Sequence, residues 1–334
     1  MTTILDRSHQ GVHTSDASSQ FMQCMEVWGG NQSTDSGVVM AGLDAWVYSK
    51  PFGGSEGGGD VYYVSACATG RILRLMIADV AGHGQTVGAI AGQLRGLMRQ
   101  HVNQIDQTQF VRSMNSQFSK LAQDGLFATA VVGTFFAPTR RLTLCNAGHP
   151  LPLLYRAETR EWSLLESGRR QTSDDPINLP LGILDLADYQ TFDISLKVGD
   201  LVLCYTDSLV ESRGADGQML GHAGLLDIAR SLDVTDHARI VPALLWAIET
   251  KYPGNLTADD VTVLLFRPNG RGAGRPSLGR QIAGLGKLIA SIGRSFRPGG
   301  EPVPWPDFKL PNIGGAIFPP LQRFWSSRKS KNAS

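Results

Sequence analysis

The order of apolar patterns along the chain is the feature that most restricts its fold. Strand-like runs come first, two amphipathic helical patterns follow, and then come many strands, two helices and a last strand. The helical patterns cover Val87–Val102, Phe110–Leu121, Gly224–Leu232 and His237–Lys251. The strand-like runs are Val38–Ser49, Val61–Ala68, Arg71–Ala78, Ala128–Phe136, Arg141–Cys145, Leu151–Tyr155, Trp162–Leu165, Tyr189–Leu196, Leu201–Tyr205 and Val261–Phe266. Because strand–helix–strand alternation is rare here, we expect antiparallel sheets covered by paired helices.

Charge divides the chain into an acidic body and a basic tail. Residues 268–334 contain 11 Lys and Arg and 2 Asp and Glu, which leaves 20 basic and 28 acidic side chains in residues 1–267. Gly, Pro and Arg become frequent beyond Phe266, which indicates a domain boundary. We therefore predict an N-terminal segment, partly disordered, at 1–36, a globular catalytic domain at 37–267 and a basic Gly/Pro-rich amphipathic tail at 268–334.

The cysteines and the N-terminus bear on the compartment. The four cysteines are scattered without a CxxC pair, and three of them lie in apolar runs where a thiol behaves as a small hydrophobe. We therefore expect reduced thiols and a cytoplasmic protein. The polar start of the chain is unlike a secretory signal, and no apolar run reaches the roughly 18 residues of a membrane span, so we expect no segment that crosses a bilayer.

Aspartates stand at the ends of several strand-like runs. A two-residue turn centred between Thr69 and Gly70 pairs Asp60 with Asp79 at the open end of a hairpin, with their Cβ atoms roughly 4.5–5.5 Å apart. Facing acids destabilise a sheet unless a cation lies between them. Asp207 follows one run and Asp259 precedes another, so a sheet rim is able to gather all of them. Oxygen ligands of this kind suit Mg²⁺ or Mn²⁺.

The segment Asp79-Val80-Ala81-Gly82-His83-Gly84 is the most specific motif. Its glycines allow a sharp turn beside the acid, and an amphipathic helix follows whose N-terminus suits a phosphate. His83 is a candidate to donate a proton to a leaving oxygen. The alternative is that His83 only forms a hydrogen bond within the loop.

Six ordered motifs carry a resemblance to a known family. The chain resembles the SpoIIE-like branch of the metal-dependent serine/threonine protein phosphatases (the PPM group) over about residues 37–267. The motifs are Gly-Gly-Asp, Asp-Val-Ala-Gly-His-Gly, Asn146-Ala147-Gly148-His149-Pro150, Leu179-Pro180-Leu181-Gly182, Gly199-Asp200 with Tyr205-Thr206-Asp207 and Glu211, and Asp259-Asp260-Val261-Thr262. The resemblance implies a four-layer α-β-β-α sandwich of two antiparallel sheets flanked by helix pairs.

The resemblance also implies two Mg²⁺ or Mn²⁺ ions bridged by a hydroxide. Asp79 would bridge both ions and act in catalysis, with the Val80 carbonyl as an additional ligand. Asp60 would bind one ion, and the hydroxide would attack phosphorus in line.

The other ion would be bound by Asp207 and Asp259. Asp260 occupies the second position of the Asp-Asp pair and ranks below Asp259 as a metal ligand. The family usually has glycine where this chain has Ser208, which bears on the geometry of Asp207.

Three further side chains are candidates with plainer alternatives. His149 would be a catalytic base, although bracing its tight turn is the better interpretation. Arg169 and Arg170 would contact a phosphoprotein, or they lie in a solvated loop. No arginine of the chain matches a phosphate-binding role.

The leading hypothesis is therefore a phosphoserine/phosphothreonine protein phosphatase. By resemblance, its substrate would be a phosphorylated bacterial signalling regulator such as an anti-sigma-factor antagonist. A pseudophosphatase that acts as a signalling or scaffold module is the alternative. A nucleotide cyclase, suggested by Gly-Gly-Asp, leaves the later motifs without a role.

The tail supports a separate hypothesis. Its basic residues alternate with an apolar helical pattern, which suits peripheral attachment to the anionic surface of the inner membrane. A partner protein or a linker role would use the same composition, and nucleic acid is a weaker alternative. The sequence does not indicate the oligomeric state.

Overall fold

The computed structural model describes residues 19–21, 27–66, 71–82, 85–102, 104, 106–122, 125–166 and 177–271. The predictions for His83, Arg169, Arg170 and almost all of the tail lie outside the described residues. The strands are β1 (Ser19–Phe21), β2 (Val27–Gly30), β3 (Thr34–Met40), β4 (Leu43–Lys50), β5 (Asp60–Ala66), β6 (Ile72–Val80), β7 (Ala128–Phe136), β8 (Arg141–Ala147), β9 (Leu153–Arg156), β10 (Glu161–Leu164), β11 (Phe192–Ser195), β12 (Leu201–Tyr205) and β13 (Val261–Pro268). The α-helices are α1 (Gln85–His101), α2 (Gln107–Leu121), α3 (Asp207–Val210), α4 (Gly221–Ser231) and α5 (His237–Lys251), and short 3-10 helices lie at Phe52–Gly54 and Asn255–Thr257.

Two sheets form the centre of the molecule. The first has the order β1-β3-β4-β13-β12-β9-β10, and the second has the order β11-β8-β7-β6-β5-β2. Apart from the short parallel pair of β1 with β3, the named strands pair antiparallel. One apolar cluster fills the space between the sheets, and two others join each sheet to its helices. Helices α1 and α2 cover the second sheet, and α4 and α5 cover the first, so the predicted four-layer α-β-β-α sandwich is confirmed.

Most predicted elements lie where the periodicity indicates, but one prediction is wrong. The run Val38–Ser49 is not a single strand, because β3 ends at Met40 and β4 begins at Leu43. The turn residue Gly42 has φ 91°, a backbone conformation that favours glycine. The two-residue turn Ala41-Gly42, in which Gly42 has the positive φ, folds the run back on itself, and both halves are apolar because both are largely buried.

The sheets also include residues of the segment predicted to be partly disordered. Strand β2 and the start of β3 precede residue 37, where the globular domain was predicted to begin. Strand β2 pairs with β5, the strand that begins at Asp60. In the part of the chain that the structure describes, no helix has the length and apolar character needed to cross a membrane.

A buried arginine ties the helix pair to the second sheet. Arg74, on β6, is 2% exposed, and its guanidinium lies 4.8 Å from the centre of the Phe110 ring. It donates to the Val102 carbonyl at 3.2 Å and to Gln107 Oε1 at 2.9 Å. These bonds connect β6 with the end of α1 and the start of α2. They therefore help to hold α1, which begins just after the Asp79 motif.

Candidate metal centre

The hairpin of β5 and β6 brings two predicted site residues face to face. Asp60 pairs with Asp79 in the register of the two strands, which confirms the pairing inferred from the turn. Asp79 also pairs with Thr129 on β7, so three polar residues lie side by side at the end of this sheet. The register therefore places two carboxylates at one rim of the sandwich.

Asp60 is the most enclosed acid of the group. It is 3% exposed, and its Oδ2 accepts a hydrogen bond from Thr206 Oγ1 at 2.9 Å. Thr206 follows β12 of the other sheet, and its Oγ1 in turn accepts from the Thr262 amide at 3.0 Å. Burial, followed by the charges of Asp79 and Asp260, raises the pKa of Asp60 well above its usual range. The two sheets thus meet at this carboxylate.

Asp79 interacts electrostatically with four other acids. Its pKa is raised to about 7, first by burial and then by the charges of Asp207, Asp259, Asp260 and Glu211, in that order of size. Each of these acids is close enough to Asp79 to disfavour its ionised form. A bound cation would reverse this effect, because it stabilises the carboxylates in their charged form.

Asp207, which comes shortly after β12, begins a short helix. It is the first residue of α3 and follows Thr206, whose backbone is extended. Burial and then the charges of Glu211 and Asp259 raise the pKa of Asp207. Ser208, which stands where the family usually has glycine, is buried within α3 and is not among the residues with positive φ. Its backbone is helical, so no glycine is required beside Asp207.

The two aspartates before β13 have different surroundings. Asp259 is exposed and lines a cavity of about 230 Å³ together with Lys50, Phe52 and Leu256. Asp260 is 6% exposed, and its two carboxylate oxygens accept from the backbone amides of Phe52 and Gly59, each at 2.6 Å. Of the two, Asp259 is the one that the fold leaves open toward solvent.

The Val80 carbonyl, predicted as an additional ligand, lies close to the residue before Asp60. The Val80 amide donates to the Gly59 carbonyl at 3.2 Å. A Cβ added to Gly59 would lie 2.8 Å from the Val80 carbonyl oxygen. Glycine at position 59 therefore permits a close approach of the two backbones on either side of the acid pair.

His149 is held inside its turn. Its Nδ1 lies 2.8 Å from Thr129 Oγ1, and Asn146 forms two hydrogen bonds of 2.8 Å with the His149 backbone. Burial lowers the pKa of His149 to about 3, so the ring is neutral. Pro180 packs on this turn, since a Cβ at Gly148 would lie 2.6 Å from Pro180 Cγ. These contacts favour the bracing role over that of a base.

The predicted ligands are carboxylate oxygens, which are the ligand atoms that a hard divalent cation prefers. Four of the predicted acids, Asp60, Asp79, Asp207 and Asp259, influence one another electrostatically. The pKa values of Asp60, Asp79 and Asp207 are all raised. Within the described ranges, no group of three or more His, Cys, Asp or Glu side chains is arranged so that it could hold a metal ion. The fit therefore rests on the crowding of carboxylates at one rim, which a Mg²⁺ or Mn²⁺ ion would relieve.

Two residues near the centre, Glu211 and Thr206, have no metal or catalytic role predicted from the sequence. Glu211 follows Asp207 by four residues, and its amide donates to the Asp207 carbonyl at 2.8 Å, so the α3 turn brings its charge toward Asp207 and Asp79. That spacing was visible in the motif. Thr206 was visible only as a neighbour of Asp207, and its bond to Asp60 joins residues 146 positions apart.

A comparison with family models places this chain among known proteins. The model described as Stage II sporulation protein E (SpoIIE) matches residues 69–269, which is more than half of the chain. A curated relative, the phosphoserine phosphatase RsbU of Bacillus subtilis, is 23% identical over 146 residues. That match covers 43% of this chain and 41% of RsbU, so the chain spans less than half the length of this relative.

Solved structures share the architecture. The RsbU and RsbW domains of Rv1364c from Mycobacterium tuberculosis give a TM-score of 0.58 at 24% identity, with 79% of this chain and 75% of that chain covered. The PP2C phosphatase domain of SpoIIE from Bacillus subtilis, solved with a fragment of its regulatory domain, gives 0.55 at 18% identity, with 74% and 64% covered. At these identities the likeness concerns the fold.

Proposed function

The chain belongs to the SpoIIE family, and from this membership we propose that it is a metal-dependent protein phosphatase that hydrolyses phosphoserine or phosphothreonine. The observation that carries the proposal is the facing pair Asp60 and Asp79, together with the charges of Asp207 and Asp259, which raise the pKa of Asp79. Like charges in a buried strand pair cost stability, and a catalytic cation gives that arrangement a purpose.

We assign the ligand roles by the surroundings of each acid. Asp79 would contact both of two Mg²⁺ or Mn²⁺ ions, because it is the acid that the others surround. Asp60 would hold one ion and is oriented by Thr206. Asp207 and Asp259 would hold the other ion from the side of the first sheet, with the Val80 carbonyl as an additional ligand.

The chemistry follows from these positions. Bound divalent ions would activate water as a nucleophile and neutralise charge on the phosphoryl oxygens. The chain itself would orient the reactants through rigid strand ends, since Asp60 and Asp79 are the terminal and penultimate residues of β5 and β6. The neutral His149 would keep the turn of Asn146–Pro150 in place.

We further propose that the substrate is a phosphorylated regulator of bacterial signalling, such as an anti-sigma-factor antagonist. Two arguments support a protein substrate: the membership of the SpoIIE family and the partial match to a phosphoserine phosphatase.

Release of phosphate tests the activity. With manganese present, the protein is expected to hydrolyse a small aryl phosphate and a phosphoserine peptide, and chelation of the metal is expected to abolish both reactions. Calorimetric titration with manganese would accompany the assay. If manganese does not bind and neither substrate is hydrolysed, the pseudophosphatase alternative is favoured instead.

For the tail we propose peripheral attachment to the anionic inner face of the cytoplasmic membrane. The support is its net charge, because residues 268–334 carry 11 basic and 2 acidic side chains. The full chain is expected to sediment with anionic liposomes, and a chain that ends at Arg271 is expected to remain in solution. That end keeps Asn269, whose Nδ2 donates to the Met40 carbonyl at 2.9 Å. Equal sedimentation of both chains would reject the proposal.

A further inference from the structure

We propose that Asp260 is a positioning residue that anchors the glycine-rich loop 52–59 and thereby sets the place of Asp60, rather than a metal ligand. The inference rests on the proposed function, because it assigns a role within the same centre. It also separates the two neighbouring aspartates, which the sequence motif presents as a pair.

The Asp260 carboxylate joins both ends of the loop. Its Oδ1 accepts from the amide of Phe52, where the loop begins, and its Oδ2 accepts from the amide of Gly59, where it ends. Both distances are 2.6 Å, and the carboxylate is 6% exposed. Hydrogen bonds to a charged acceptor are stronger than neutral ones. One side chain thus closes a loop that lies 201 residues away in the sequence.

The second of these bonds ends beside Asp60. Gly59 precedes Asp60 directly, and its carbonyl accepts from the Val80 amide at 3.2 Å. Gly59 is therefore held by Asp260 on one side and by the strand of Asp79 on the other. Movement of the Asp260 carboxylate would move Gly59, and with it the carboxylate of Asp60.

The loop is fitted closely to its anchor. A Cβ added to Gly58 would lie 2.4 Å from Asp260 Oδ1, so only glycine leaves room for the carboxylate. Asn31 holds the same position from the other side: its Nδ2 donates to the Gly58 carbonyl at 3.0 Å and to the Gly88 carbonyl of α1 at 2.9 Å. The Gly58 amide donates to the Asn31 carbonyl at 2.9 Å.

The geometry distinguishes Asp260 from Asp259. A metal bound by Asp260 would compete with the two loop amides for its oxygens, and the buried Gly59 amide would then lose its acceptor. Asp259 is exposed, and its Oδ1 accepts from the Asp260 amide at 2.8 Å. Asp259 therefore remains open toward the rim, while Asp260 is committed to the backbone.

A double-mutant cycle tests the assignment. Gly58→Ala, Asp260→Ala and the double variant are compared by manganese calorimetry and by urea unfolding without metal. Each single change is expected to weaken manganese binding about 10–100-fold, as loss of an outer-shell partner does, and to lower the urea midpoint. The double variant is expected to be no worse than Asp260→Ala, because the methyl group added at position 58 then has no carboxylate to displace.

Several outcomes would overturn the assignment. They are additive losses in the double variant, single variants without effect, and loss of one manganese equivalent in Asp260→Ala with an unchanged metal-free urea midpoint. Should Asp260→Ala not fold, Asp260→Asn replaces it, since asparagine keeps one acceptor and is expected to give a smaller loss of the same kind.

A matched glycine change serves as the control. Gly92→Ala, in α1, places its Cβ in open space, with no neighbouring atom of another element within 4 Å, and it is expected to leave manganese affinity unchanged. Asp79→Asn distinguishes a failure of the metal centre from a failure of the loop anchor. If that variant still binds manganese as the unmodified protein does, the proposed metal centre fails, whereas the loop anchor is still judged by the metal-free unfolding of the cycle.

Discussion

Replacement of Asp79 by asparagine is expected to lower manganese-dependent phosphate release about a thousandfold. The charges of four nearby acids, Asp207, Asp259, Asp260 and Glu211, raise the pKa of Asp79, and under the proposed function Asp79 would contact both ions. Loss of a bridging carboxylate removes several kcal/mol of stabilisation from the transition state, and each ~1.36 kcal/mol is a factor of ten in rate. Steady-state hydrolysis of an aryl phosphate over a manganese series measures the effect.

The control for this experiment is an aspartate of the same fold outside the centre. Asp227, on α4, has a side chain that is 73% exposed and is paired with Arg230. Asp227→Asn is expected to keep the unmodified rate, because a surface ion pair contributes little. If Asp79→Asn also keeps that rate at saturating manganese, the proposed metal centre is wrong.

Without metal, the stability of the protein is expected to fall as the pH rises through neutrality. The pKa of Asp79 is raised from its unfolded value of 3.8 to about 7, so the folded state holds the proton more tightly than the unfolded state does. The stabilising effect of that proton is complete below the unfolded pKa and is lost as the pH rises through about 7. Between about pH 5 and about pH 8 this group accounts for about 3 kcal/mol of lost stability.

Urea unfolding in the presence of a chelator measures this loss. Asp79→Asn is expected to show a flatter profile and, near pH 8, a higher free energy of unfolding than the unmodified protein, because asparagine carries no charge toward Asp60. Manganese at about 100 times its Kd is expected to restore about 2.7 kcal/mol to the unmodified protein. Identical metal-free profiles for the two proteins would show that Asp79 is not the group responsible.

The effects expected for Asp79→Asn on the rate of catalysis and on metal-free stability are opposite. Asp79→Asn is expected to be a poorer catalyst and, in its metal-free form, a more stable protein. That combination is typical of a residue whose strained environment serves the reaction. A residue that only supports the fold would lower both quantities when replaced.

Local sequence patterns predict much of the fold and the position of two of the four acids, Asp60 and Asp79. Strands Ala128–Phe136 and Leu201–Tyr205 and helix His237–Lys251 have the bounds that periodicity predicts. The facing of Asp60 and Asp79 also followed from the sequence, because a short turn between adjacent strands determines their register. The turn at Gly42 was missed, since two buried strands joined by Ala-Gly look like one apolar run.

Sequence patterns were therefore enough to predict antiparallel sheets covered by helix pairs, the family resemblance and the pairing of Asp60 with Asp79 in the β5–β6 hairpin. Those features depend on periodicity and on residues near one another in the chain. Contacts between distant parts of the chain place the Asp260 carboxylate on the loop amides, leave Asp259 exposed and bring Thr206 to Asp60. Neighbouring residues at a strand end point to opposite sides, and which side is buried depends on elements hundreds of residues away, such as the glycine loop that meets Asp260.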